Sequence, residues 1–155
     1  MGRIENNEKF IRQLKRHEGF SLEAYLCPAG YLTIGWGHNC EALPVPGVEK
    51  VGDSISRGSA EILLYQDVRT LAHELDSKLE WWRGMIEPRQ AVLLNMAFNM
   101  GVPKLLTFRK ALRAMESRCW NEAAHEMLDS KWAEQVKGRA AELATQMVLG
   151  AWQEG

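Results

Sequence analysis

The chain has 155 residues, 46% hydrophobic and 25% charged, with a net charge of −1, the proportions of one ordinary soluble domain with its own core. Neither half is markedly basic, so bulk charge gives nucleic-acid binding no support and leaves only a local patch as a route to it. Cys27, Cys40 and Cys119 have neither disulfide-framework nor zinc-ligand spacing, and no segment approaches the roughly twenty apolar residues of a membrane span.

Phe10, Ile11 and Leu14 recur at helical spacing over residues 5–18, and Gly19 after Glu18 stops a helix at little steric cost. A short first helix is therefore expected to end on a carboxylate. The period then changes: Leu32, Ile34 and Trp36 alternate with Tyr31, Thr33 and Gly35, a strand pattern with one apolar face and one small, polar face. Pro28-Ala29-Gly30 reads as the turn of a hairpin whose first strand carries Tyr25. Residues 39–54, with Pro44, Pro46 and Gly47, read as loop. Ser56 is a plausible N-cap for a long helix over about 56–78, with Ile62, Leu64, Val68, Leu71, Leu75 and Leu79 on its apolar face.

After a loop at 81–87, Pro88 suits a first helical turn, and the run Ala91 to Met100 is apolar on nearly all sides, which predicts a central buried helix stopped at Gly101. Shorter helices are expected at about 108–116, 120–129 and 137–149. The fold class is α+β and mostly α-helical. One domain is predicted: a small α/β lobe at about 15–55, the connecting helix, and a helical lobe at about 79–155 with the N-terminal helix packed on it.

The arrangement best suited to chemistry lies between His17 and His38. There a helix end and a hairpin meet within about twenty residues and bring Glu18, Cys27 and Thr33 toward one cleft. Glu18-Gly19, Tyr25 and the run Gly30-Tyr31-Leu32-Thr33-Ile34-Gly35-Trp36-Gly37-His38 resemble the signature of the phage-type lysozymes, the endolysin family that cleaves bacterial peptidoglycan. The likeness continues through Tyr65 to Val68, Leu94 to Gly101, Trp120 to Ala124, Ser130 to Trp132, Gln135, Arg139 and Ala140, and so covers nearly the whole chain.

The resemblance implies a lysozyme-like fold and a muramidase acting on the β-1,4 bond between N-acetylmuramic acid and N-acetylglucosamine, for host lysis by a phage or prophage. It implies catalytic roles for Glu18, for the position of Cys27 and for Thr33, but the family has Asp where this chain has Cys27. Glu18 is the expected acid. The negative end of its helix dipole favours the protonated form, while Arg139, resembling the family's arginine, pulls the other way if the two pair. Thr33 can hold a water through its hydroxyl.

Cys27 leaves three readings: a stand-in for the carboxylate as base or nucleophile, a thiolate charge that only stabilises the positive transition state, or the mark of a catalytically impaired peptidoglycan-binding protein. Water attack inverts the anomeric centre, and attack by sulfur retains it. The likeness further implies substrate contacts from Phe98, Asn99, Lys131 and Gln135, and support from His38, Asp67 and Arg139, with His38 pairing to Asp67. No metal, cofactor or nucleic acid is expected, nor stable membrane insertion. A monomer is. The first residues, MGRIENNEKF, lack an apolar run of signal-peptide length, so manufacture in the host cytoplasm is expected, with the wall reached after membrane permeabilisation. Trp81 and Trp82, adjacent in a loop, have no assigned place.

Overall fold

The computed structural model describes residues 3–154. After a single 3-10 turn at Ile4–Asn6, helix α1 runs Glu8–His17, capped by the Asn7 side chain, which accepts from the amides of Lys9 and Phe10. Its end differs in detail from the expectation. Glu18 itself turns the chain into extended backbone (φ −91°, ψ 143°) while its N–H still bonds Leu14 O at 2.9 Å, so the helix stops at the carboxylate and before Gly19. That turn throws the Glu18 side chain out of the helical row.

A three-stranded antiparallel sheet follows, in the order β1 (Ser21–Leu26), β2 (Leu32–Gly35), β3 (His38–Asn39). Tyr25 pairs with Thr33 and Leu26 with Leu32 across a turn in which Gly30 takes φ +87° and donates to Cys27 O. The two-residue strand β3 pairs Ile34 with His38 and takes in Asn39, where the sequence predicts loop, because so short a strand carries no period.

Helix α2 spans Arg57–Lys78, and Ser56 caps it by accepting from the Ser59 amide. Its inward face differs from the predicted one at one position. Ile62 is 60% exposed, while Leu63, one residue on, is buried beside Ala24, Ile34, Cys40 and Val48 in a small core under the sheet. Leu64, Val68, Ala72 and Leu75 turn to the main core with Phe10, Leu14 and Trp36. One helix thus supplies both cores, which a single apolar stripe cannot describe.

Helices α3 (Glu87–Met100), α4 (Val102–Leu105), α5 (Arg109–Glu116), α6 (Trp120–Leu128), α7 (Lys131–Val136) and α8 (Gly138–Leu149) complete the chain. Pro88 occupies the first turn of α3, and every residue from Ala91 to Ala97 is buried. Helix α3 packs on α2 and α8, and α6 on α5 and α8. The segment after α2 is a second 3-10 turn, Trp82–Gly84, not a loop. Trp82 is fully buried there, with Nε1 donating to Asp76 at 2.8 Å and the Arg83 guanidinium over its ring, so it is core. Burying a side chain of that size contributes roughly 3 kcal/mol. The three cysteines are free thiols.

Candidate active site

Glu18 lies between α1, the sheet and α8. Its side chain is 15% exposed, and its Oε2 approaches Arg139 Nη1 to 2.6 Å in a charge–charge contact out of line for a hydrogen bond. Its Oε1 faces Gly37, where a Cβ would come within 3.0 Å of it and within 4.0 Å of the Phe98 ring. Gly37 also has φ +68°. The site therefore needs glycine there twice over, for backbone conformation and for space.

Tyr25, on β1, is the neighbour common to Glu18 and Cys27. Burial pushes its hydroxyl above the ordinary range, and the charges of Glu18 and Cys27 both add to that. Cys27 follows β1 at the mouth of the hairpin turn and is half-buried. The Tyr31 amide holds its thiol below the ordinary value, desolvation opposes this, and the Ala29 amide, the Thr33 hydroxyl and the Gly30 amide assist. The polar amides of the hairpin turn thus favour the thiolate.

Thr33 is buried, and its hydroxyl donates to Tyr31 O at 2.9 Å while also helping to hold the Cys27 thiol low. Its lone pairs are the part left for a water or a substrate hydroxyl.

The other predicted positions are placed as follows. Phe98 is half-buried at the Glu18–Gly37 contact. Asn99 is exposed, but its Oδ1 accepts from Trp132 Nε1 at 2.6 Å, which leaves only its N–H groups for a sugar. Lys131 and Gln135 are exposed on α7, Lys131 on the rim of a depression of about 430 Å³ with Lys104, Phe108 and Lys110. These two are not drawn against Glu18. His38 Nδ1 lies 2.8 Å from Asp67 Oδ2 on α2, tying β3 to that helix.

Sequence reasoning passed over Asn95 and His17. Asn95 Oδ1 accepts from both Nε and Nη2 of Arg139, at 3.0 and 2.8 Å, and Asn95 Nδ2 lies 3.0 Å from His17 Nδ1. The available signal was an amide inside the apolar run from Ala91 to Phe98, since a fully buried polar group must have partners.

The family model described as Phage lysozyme matches residues 15–146. The chain belongs to the phage lysozyme family. It is 30% identical to the "Pre-baseplate central spike protein Gp5" of Enterobacteria phage T4 over 93% of this chain, though it spans only 28% of that protein. It is 31% identical to "Probable T4-type lysozyme 1" of Dictyostelium discoideum over 82% of this chain and 86% of that one. An "Endolysin" of Acyrthosiphon pisum secondary endosymbiont phage 1 is 26% identical over 88% and 86%. The mixed fold of a small sheet beside many helices is that of a lysozyme.

Proposed function

We propose that this phage lysozyme family member hydrolyses peptidoglycan at the β-1,4 bond between N-acetylmuramic acid and N-acetylglucosamine, and serves host lysis. The observation that carries the reading is the placement of Glu18, mostly buried against Arg139 and facing Gly37, close to a half-buried Tyr25 whose hydroxyl feels the charges of both Glu18 and Cys27. Glycoside hydrolysis needs such a pair. Glu18 donates its proton to the leaving sugar oxygen as the C–O bond breaks. The Cys27 thiolate takes a proton from a water held by Thr33, and the water oxygen bonds the anomeric carbon from the opposite face. The thiol and the carboxylate then exchange protons with solvent.

The amides around Cys27 favour this role over nucleophilic attack. They stabilise the thiolate, and a stabilised thiolate is a weaker nucleophile. Inversion at the anomeric carbon is therefore expected, and NMR of the fresh product from a cell-wall fragment reads it directly. A retained anomer would assign Cys27 to covalent catalysis.

Turbidity loss of outer-membrane-permeabilised Gram-negative cells tests the activity. Glu18→Gln should lower the rate at least a hundredfold by removing the proton donor. Cys27→Asp should equal or exceed the parent rate, because a carboxylate is ionised without help. Cys27→Ser should fall by at least tenfold, since a hydroxyl is neither anion nor base near neutral pH. If the parent and Glu18→Gln bind sacculi and are equally inert, the chain binds cell wall without cutting it.

A further inference from the structure

Glu18 stands at one end of a line of buried polar groups to which the steps above give no part. Arg139 touches Glu18 through Nη1 alone, and its other two nitrogens converge on Asn95 Oδ1. Arginine has no acceptor, so the Asn95 oxygen has to face it and the Asn95 nitrogen has to face away. That nitrogen lies 3.0 Å from His17 Nδ1. Two N–H groups cannot bond each other; His17 Nδ1 therefore carries a lone pair, and the ring proton is on Nε2, 3.1 Å from Glu142 Oε2 but out of line for a hydrogen bond. Asn95 is fully buried and the His17 side chain is 6% exposed, so a mismatch has little solvent to relieve it.

We propose that His17 is a positioning residue for Glu18: as the Nε2–H tautomer it orients the Asn95 amide, Asn95 orients the Arg139 fork, and Arg139 Nη1 is thereby aimed at the Glu18 carboxylate. The inference rests on reading Glu18 as the proton donor. A second proton on His17 sets an N–H against the Asn95 amide nitrogen. Relief comes by turning that amide over, which puts its nitrogen against Arg139 and removes both bonds that aim the guanidinium. A proton on His17 is thus converted into movement of the charge beside Glu18.

The groups around His17 place this event in the acid range. Burial opposes the imidazolium most, Glu142 on α8 favours it, and Arg139 on α8 and Arg16 on α1 repel it, leaving His17 below an ordinary histidine. Glu142 remains an anion throughout: burial pushes it up, but the bonds from Arg16 and Gln13 and the nearby His17 outweigh that and hold it at about 2.

Two-bond imidazole nitrogen–proton NMR on the whole protein reads the tautomer and the His17 midpoint, with the signal assigned by its loss in His17→Gln. The Nε2–H form is expected at neutral pH. The side-chain carboxyl carbon signal of Glu18 should inflect at the His17 midpoint, and in His17→Gln that inflection should be absent, because Gln offers an oxygen to Asn95 and a nitrogen to Glu142 at every pH.

On a cell-wall fragment, His17→Leu should lower kcat roughly tenfold with KM little changed. His17→Gln should restore kcat and remove the His17 step from the acid limb of the pH profile. An Nδ1–H tautomer, or a Glu18 titration identical in the parent and His17→Gln, overturns the proposal. Both NMR readings decide the coupling even in a protein that cuts no peptidoglycan, so failure of the hydrolase reading shows itself separately.

Discussion

The partners met by the ring nitrogens of His17 and His38 favour opposite charge states. His17 faces a donor at Nδ1 and an acceptor at Nε2. His38 faces acceptors at both, Asp67 Oδ2 at 2.8 Å and Leu43 O at 2.9 Å, and only the imidazolium donates to both. Burial works against that cation, but the Asp67 and Leu43 bonds outweigh it and raise its proton affinity above that of an ordinary histidine. The folded state thus binds this proton more tightly than the unfolded chain does. The stabilisation is fully present below the unfolded value of about 6.5 and is lost as pH rises through the folded value.

His38→Asn is expected to cost about 3 kcal/mol below pH of about 6, with the deficit narrowing as pH rises. Thermal unfolding across a pH series checks it; a deficit constant with pH would make the role one of packing. For His17 the sign reverses. Its contribution is present above the unfolded value and is lost as pH falls through the depressed one. At this scale the sequence was readable where a motif carried the residue, as for Glu18, Thr33 and His38. The Asn95–His17 contact joins residues 78 apart, and the amides around Cys27 exist only once the turn has formed; neither leaves a trace in spacing.

Among the elements, α8 decides where Arg139 stands. Its start is strained, with Lys137 at φ +46° and ψ −106°, a conformation poorly suited to a side chain. Its end is closed by Gly150 in the left-handed region and by Arg89, which donates to Met147 O and Val148 O at 2.7 and 3.0 Å. A Cβ on Gly150 would stand 2.9 Å from Arg89 Cζ and from Ile86 Cδ1. Gly150→Ala should therefore lose about 2 kcal/mol by strain and displacement of Arg89, a fall in Tm of roughly 4–8 °C. Lys137→Gly should gain about 1 kcal/mol by removing the strain. Calorimetry on both variants tests the account, and a Gly150→Ala protein as stable as the parent would show that Arg89 yields freely. The longer helices were legible because periods, caps and glycine stops agreed. Helices α4 and α7 and strand β3 are too short to display a period, and the outward turn of Ile62 followed from a second core that no one-face pattern contains.

For the whole molecule, charge sets how it meets the substrate proposed above. The bacterial wall is anionic, and a net charge of −1 gives long-range steering toward it little to work with. The attraction available is local: Lys104, Lys110 and Lys131 surround the depression beside α7, but Glu126 and Asp129 line it too. The Glu18–Arg139 pair is mostly buried and is screened far less than surface charges. Raising salt from about 0.05 to 0.5 M shortens the screening length from roughly 14 to 4 Å, which removes what steering exists and leaves the site nearly untouched. Activity on sacculi should then fall by no more than about threefold, through KM and not kcat. A fall of tenfold or more would mean that the lysines near α7 act as a wall-binding patch whose field outweighs the total charge. In that case Lys104→Glu and Lys131→Glu would flatten the salt dependence, and wild-type rates on an uncharged glycan fragment would stay level across the same series.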